Sequence, residues 1–371
     1  MMSNNDPDVS AWISELKTFL KSDVGTSYHS SAHLVPLPVI EKRHVQVDVR
    51  IDTLTDLIEL AEQAGSKWDY GNPELTFSVD FARLQSILPE LRELNSMVGM
   101  VSFKRTIVLQ IVYFLQGLDR NEKGEVIDYK HMVLCGPPGV GKTEVAKTVG
   151  RLFLAMGSLS SNVFKKATRS DLVGGYLGQT AIKTAGVIQS CLGGVLFIDE
   201  AYSLWENGRE KQDAYAREAI DTLCEAMSCH KADLMVIIAG YQEEIDAFLE
   251  ANRGLESRFL WRHVLESLTA EELAAVFDLK VAEAGWKREA GSWVGWFTKN
   301  KAEFTGSGRC IEKLLSFAKM SHAKRIFGQI TTKELSTKEL TTKDRDDGFA
   351  LFMEQKKVDK KGTPNHQFYF V

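Results

Sequence analysis

The sequence lacks a cysteine framework. Its five cysteines, Cys135, Cys191, Cys224, Cys229 and Cys310, are odd in number and scattered, without a CxxC pair. That excludes a fully paired set of intrachain disulfides and leaves no metal-ligand spacing. Cys224, Cys229 and His230 come nearest to a cluster, but they lie along one helical stretch, where small buried side chains are the simpler account. Positive charge is not in excess either: 45 Lys and Arg against 50 Asp and Glu give a net charge of −5. The average composition therefore carries no footprint for nucleic acid, which is not expected as a partner. No segment approaches ~18 consecutive apolar residues, so no membrane span is expected. The stretch from Met1 to Asp8 is polar and acidic, without the basic flank and apolar run of a secretory signal, and a soluble, cytoplasmic protein is expected. What is present, 371 residues with 44% hydrophobic and 26% charged, suffices for one large core or roughly two to three domains.

Up to Glu93 no chemical motif occurs. Asp6-Pro7 suits a helix start, with Val9, Trp12, Ile13, Leu16 and Phe19 at helical spacing and Gly25 as the stop. Val45, Val47, Val49 and Ile51 alternate with polar residues, which predicts a strand. Thr53 can cap a helix that carries Leu54, Leu57, Ile58 and Ala61 and is closed by Gly65. Residues 1–93 are expected to form a small α+β module, either a recruiting surface or a brace on the domain C-terminal to it.

From Leu94 the pattern changes. His131–Cys135, Val163–Ala167, Val195–Asp199 and Leu234–Ala239 are short apolar or β-prone runs separated by helical segments. They predict an α/β domain over 94–268, a parallel sheet with helices on both faces. Thr269-Ala270-Glu271-Glu272 then reads as a capping box opening a helix with Leu273, Val276 and Phe277 on one side. Further helical patterns at Trp293–Phe297 and Ile311–Ala318 give an α-helical lid domain over 269–353. A pentapeptide repeat, TTKEL-STKEL-TTKDR, spans Thr331 to Arg345. Three copies are too few for a solenoid, and a polar insertion or extended helix leading to a last helix at Phe349–Met353 is expected. Residues 354–371 are expected to be a tail.

The strongest chemical signal is Gly136-Pro137-Pro138-Gly139-Val140-Gly141-Lys142-Thr143, which matches G-x-x-x-x-G-K-[ST] between an apolar strand and a helix. Glycines let backbone N–H groups curl around phosphate oxygens, and the following helix aims its positive end at them. Lys142 adds a point charge for the β- and γ-phosphates of ATP, and the Thr143 hydroxyl can ligate Mg²⁺. The nucleotide-contacting run is set at Pro138, Gly139, Val140, Gly141, Lys142, Thr143 and Glu144. About sixty residues downstream, Val195–Ile198 ends in Asp199-Glu200, two carboxylates that an interior would not tolerate without a cation or solvent. Asp199 would hold Mg²⁺ through water, and Glu200 would polarise the attacking water as general base.

The motif pair resembles the AAA+ ATPases. The series Asp171-Leu172-Val173-Gly174-Gly175-Tyr176-Leu177-Gly178-Gln179-Thr180-Ala181, Gly193-Gly194-Val195 to Tyr202, Ala239-Gly240-Tyr241 and Asn252-Arg253-Gly254-Leu255-Glu256-Ser257-Arg258-Phe259 is similar to the subfamily containing red-type Rubisco activase and stage V sporulation protein K. The Leu54–Leu60 helix and Leu94–Met100 look most like members from large DNA viruses, for which the host cytoplasm would be the location. The resemblance covers about Leu94 to Met353. It implies a homo-oligomeric ring, a hexamer in the family pattern. Arg258 matches the arginine finger that reaches a neighbour's γ-phosphate; a surface arginine in an ion pair is the plain alternative. Arg309, at the start of a lid helix where a cation opposes the dipole, resembles the arginine that reads the γ-phosphate within its own subunit. Val98 and Gly99 match the adenine-pocket segment. Tyr176 and Leu177, flanked by glycines, match the pore loop that grips an extended protein client. Where most relatives place Asn, Thr or Ser to orient the lytic water, this chain offers Tyr241 and Gln242. The function implied is ATP-driven remodelling of a protein. A nucleic-acid motor and an ATP-dependent switch are the competing classes, and Rubisco activation is a family-level possibility, since fold does not dictate substrate.

Overall fold

The computed structural model describes residues 43–72, 74–176, 178–205, 214–327 and 338–362. The helix expected over Val9–Phe19 and the first pentapeptide copy lie outside them. β1 (Arg43–Val45) pairs in parallel with β2 (Leu75–Phe77). The expected alternation to Ile51 does not continue the strand, because β2 offers only three residues to pair with; the Val47 amide donates instead to Ser78 Oγ at 2.9 Å. α1 (Leu54–Lys67) opens with a capping box between Thr53 and Asp56 and runs through Gly65, where a stop was expected. α2 (Phe81–Ser86) and α3 (Leu88–Ser96) follow. Their buried side chains, Leu84, Leu91 and Leu94 among them, share one hydrophobic cluster with Met132, Leu134 and Phe197 of the central sheet. The described part of the N-terminal stretch therefore packs on the sheet, and α3 runs across the boundary expected at Glu93/Leu94. Glu93 itself ties α3 across that boundary, accepting from Arg151 Nη2 at 2.5 Å and from Thr148 Oγ1 at 2.9 Å.

After α4 (Val101–Leu115) come the strands of the main sheet: β3 (Met132–Cys135), β4 (Phe164–Ala167), β5 (Val195–Asp199), β6 (Met235–Gly240) and β7 (Trp261–Val264). They are all parallel, in the order β4-β5-β6-β3-β7. Four correspond to the apolar runs in the sequence; β7 does not. Side chains alternate along the inner strands between two buried clusters, Met132, Leu134 and Ile237 on one face, Val133, Ile198 and Val236 on the other. Burial on both faces is what parallel strands require. The connections run through α5 (Lys142–Ala155), α6 (Arg169–Leu172), α7 (Gln179–Gln189), α8 (Ala214–Cys229), α9 (Gln242–Ala251) and α10 (Arg253–Glu256). Because the strands are parallel, the loops after β3, β5 and β6 gather at one edge, where open α/β sheets bind ligands. Near the end of α8, Cys224 is only half-buried and Cys229 exposed, against the expectation that both pack inside.

Thr269 then caps α11 (Ala270–Glu283), its hydroxyl accepting from Glu272 N at 3.2 Å while its own amide donates to Glu272 Oε2 at 2.7 Å. The two-residue strands β8 (Lys287–Arg288) and β9 (Glu339–Leu340) pair across the lid, so strand pairing does not stop at Leu268. α12 (Val294–Asn300), α13 (Ser307–Ile326) and α14 (Thr342–Gly362) enclose a third cluster around Phe277, Phe297 and Leu314. α14 carries on past Met353, so the stretch expected to be tail begins as helix; Lys356 Nζ holds it there on Glu303 Oε2 at 2.7 Å. No described helix is long and apolar enough to cross a membrane.

Candidate active site

The loop leaving β3 turns into α5, whose first residue is Lys142. The turn requires left-handed backbone at Gly139 (φ 75°) and Gly141 (φ 95°), conformations that glycine adopts without steric cost. Gly139 is needed for a second reason. A Cβ there would lie 2.1 Å from the Gly306 carbonyl oxygen, because the start of α13 packs onto the loop, with Gly308 N donating to Gly139 O at 2.9 Å. Lid and phosphate loop meet backbone to backbone.

Lys142 Nζ donates to Gly136 O at 2.7 Å and Pro137 O at 3.0 Å, under the Tyr241 ring at 5.8 Å from its centroid. Burial lowers the ammonium pKa; Asp199 opposes that shift and Arg309 adds to it. Asp199 ends β5, and Lys166 of β4 reaches its Oδ2 at 2.7 Å. Glu200 follows with φ 51° and ψ 46°, a left-handed non-glycine residue at the head of the 3-10 turn Ala201–Leu204.

These groups line a cleft of about 370 Å³ between sheet edge and lid, within the size range of small-molecule sites. Val98, Pro138, Gly139, Val140, Gly141, Lys142, Thr143, Glu144, Asp199, Glu200 and Arg309 all face it. Gly99 does not line it; it stands behind, φ 73°, where a Cβ would meet Glu272 and Leu268 at 3.1 Å. The far wall was not found from sequence: Met97, Met100, Leu268, Val276 and Leu279 make it apolar, and Tyr202, Lys280 and Glu312 add polar atoms. Val276, Leu279 and Lys280 recur at helical spacing, but so do the residues of any amphipathic helix. One side of the cleft is thus charged, with Lys142 and Arg309 beside Asp199 and Glu200, and the other is largely apolar, which suits a molecule with a charged end and a flat apolar ring.

Thr143 and Asp199 offer one hydroxyl and one carboxylate, and no cluster of three or more His, Cys, Asp or Glu with metal-binding geometry occurs among the described residues. That donor set fits Mg²⁺, a hard ion that takes few protein oxygens and fills its shell with phosphate and water. It does not fit a cation held by protein alone.

Arg258 lies elsewhere. Its guanidinium donates to Ser228 Oγ at 2.7 and 3.1 Å and to Gly254 O at 2.5 Å, with the Tyr129 ring 5.8 Å away. Tyr129 precedes β3 and Ser228 precedes β6, so Arg258 sits at the N-terminal edge of the sheet, opposite the cleft. Tyr176 does not line the cleft either; it stands in the loop before α7, 74% exposed. Leu177 lies outside the described residues.

The family model for ATPases associated with various cellular activities (AAA) matches residues 132–265. A putative cfxQ-like protein of Acanthamoeba polyphaga mimivirus is 35% identical over 295 residues, 78% of this chain and 70% of that protein. The chain belongs to the AAA ATPase family. Stage V sporulation protein K of Bacillus subtilis is 43% identical over 176 residues, covering 47% of this chain and 54% of its own length. The ESX-1 secretion system protein EccA1 of Mycobacterium tuberculosis is 36% identical over 224 residues, 60% of this chain and 39% of its own. The subfamily read from the motifs is thus found among the relatives, although the chain spans only about half or less of these bacterial proteins. Among solved structures, a katanin chain is similar at TM-score 0.46 and 20% identity, over 69% of this chain and 83% of that one. The FIGL-1 AAA domain in complex with ADP is similar at TM-score 0.45 and 18% identity, over 73% and 86%.

Proposed function

We propose that this AAA protein hydrolyses ATP with Mg²⁺ in a homo-oligomeric ring, a hexamer in the simplest form, and uses the cycle to remodel a protein client. Lys142 and the loop amides bind the phosphates, Arg309 reads the γ-phosphate from the lid, and Val98 with the apolar wall receives the base. Thr143 and Asp199 hold the metal, which when bound shields phosphate charge. Glu200 takes the proton from the attacking water.

The observation that carries the ring is the separation of Arg258 from its own cleft. The two lie at opposite ends of β3, and a four-residue strand is already ~13 Å long at ~3.3 Å per residue. An arginine that serves a γ-phosphate from there serves a neighbouring subunit's. Leu260, 71% exposed, and Ile127, 48% exposed, flank this edge with apolar surface of the kind subunit contacts bury. Tyr176 and Leu177 would grip the client.

Complementation tests the reading. Glu200→Gln should cost ~10²–10⁴-fold in turnover, and Arg258→Ala ~10³-fold or more. Coexpressed, the two variants should recover turnover well above either alone, since an Arg258→Ala site borrows the finger of a Glu200→Gln neighbour. A mixture no more active than its components, with a monomer in native mass spectrometry, would overturn the ring.

A further inference from the structure

Lys166 stands on β4, an edge strand of the sheet, opposite Phe197 in the register. Its Nζ lies over that ring, 6.0 Å from the centroid. An edge-strand lysine ordinarily turns its charge to solvent and blunts the edge against stray pairing. Here the ammonium turns back to Asp199 Oδ2 at 2.7 Å. The phosphate-loop lysine makes no direct ion pair with that carboxylate: Lys142 Nζ donates to the carbonyls of Gly136 and Pro137 and feels Asp199 only through its charge. Among the described residues, the direct ion-pair partner of Asp199 comes from the neighbouring strand.

We propose that Lys166 is a built-in counter-ion for Asp199 that competes with a divalent cation, so that it raises the Mg²⁺ concentration at which the cleft loads metal–nucleotide. The inference rests on the reading of Asp199 as the metal-holding carboxylate. An ammonium 2.7 Å from Asp199 Oδ2 neutralises part of the charge that would attract a divalent ion, and the two cations repel each other at that carboxylate. The ammonium has a route out: the lysine side chain is 47% exposed, against 20% for Asp199, and its four-carbon stem is flexible. Lys166 is thus a positioning residue that tunes loading without blocking it, and the size of its effect is that of a partly exposed ion pair.

The test is binding, with no turnover required. A fluorescent ATP analogue is titrated into the full chain at a series of free Mg²⁺ concentrations, for wild type and for Lys166→Met, Lys166→Arg and Asp199→Asn. Lys166→Met keeps the stem and removes the charge. It should lower the half-saturating Mg²⁺ by about two- to fivefold, with affinity in chelator unchanged, while Lys166→Arg stays near wild type. Asp199→Asn should lose most of the Mg²⁺ dependence. If Lys166 merely pins β4 to β5, Lys166→Met will shift Tm and leave the Mg²⁺ midpoint at the wild-type value, which overturns the proposal. An equal shift in Lys166→Arg overturns it too, because charge would not be the cause. Wild-type Mg²⁺ dependence in Asp199→Asn overturns the metal reading of Asp199, and this role with it.

Discussion

Glu200 holds a backbone conformation that side chains avoid, φ 51° and ψ 46°, at a cost of roughly 1–2 kcal/mol. The surrounding packing imposes it: Ile198 and Ala201 on either side are buried, so the chain must turn sharply between them and the carboxylate is thrown into the cleft. Glu200→Gln leaves the glycine loop and Lys142, which we propose hold the phosphates, as they are. We expect it to bind a fluorescent ATP analogue like wild type while phosphate release falls by ~10²–10⁴-fold; turnover near the wild-type rate would mean that another group activates the water. Lys142→Ala removes the fixed charge proposed to meet the phosphates, and titration with the same analogue should show binding lost or severely weakened. These residues are legible in the sequence because the phosphate loop is contiguous and its spacing is set by local backbone geometry. Lys166 is not, since nothing in Phe164-Lys165-Lys166-Ala167 distinguishes an ordinary edge lysine from one that reaches across to Asp199. The apolar wall escapes for a similar reason: Met97 and Leu279 are far apart in the chain and only the docked lid makes them neighbours.

At the scale of elements, β7 shows where reading by hydrophobic runs fails. Trp261-Arg262-His263-Val264 carries two basic side chains, yet it forms an edge strand because it pairs with β3 and buries His263. That imidazole bonds to Thr106 Oγ1 at 2.8 Å and Gln110 Oε1 at 3.0 Å on α4. Burial pushes its pKa down to about 4. Burial, with the charge of Lys130, takes His131 beside β3 to about 3. Both fold neutral, whereas in the unfolded chain they take up protons near the ordinary histidine value of 6.5. The unfolded state therefore binds more protons between these values, so this stability is whole above about pH 6.5 and lost as pH falls toward 4, by up to ~1.4 kcal/mol per pH unit for each histidine. Urea midpoints should drop between pH 7 and pH 5, and less steeply in His263→Gln; equal midpoints at the two pH values would contradict this linkage. In the lid the contact to test is α13 on α14. A Cβ on Gly348 would lie 2.6 Å from Ala318 N, a backbone atom that cannot swing aside, so Gly348→Ala should destabilise by ~1–3 kcal/mol in the same urea titrations. The sequence shows α14 as a helix but not that it touches α13 so closely.

In the whole molecule the three surfaces of the proposed cycle lie apart: the cleft at the C-terminal sheet edge, Arg258 at the N-terminal edge, and Tyr176 in the loop before α7. If Tyr176 grips a client, its removal should leave the chemistry alone, because it is not among the residues that line the cleft. Burying one face of an aromatic ring against an extended chain contributes on the order of 1–3 kcal/mol. One such contact cannot hold a polypeptide that is being pulled, but several presented around a ring can, while each remains weak enough to release at every step. We therefore expect Tyr176→Ala to keep basal ATPase within a few-fold and to lose client-stimulated ATPase and client remodelling. Tyr176→Phe should keep both, since the grip uses the ring face and not the hydroxyl. The client for this assay is whatever protein the Glu200→Gln variant retains with ATP bound, and basal and stimulated phosphate release are measured side by side. Stimulation undiminished in Tyr176→Ala would remove threading from the account and leave an ATP-dependent switch, whose output is the assembled ring itself, as the function to pursue.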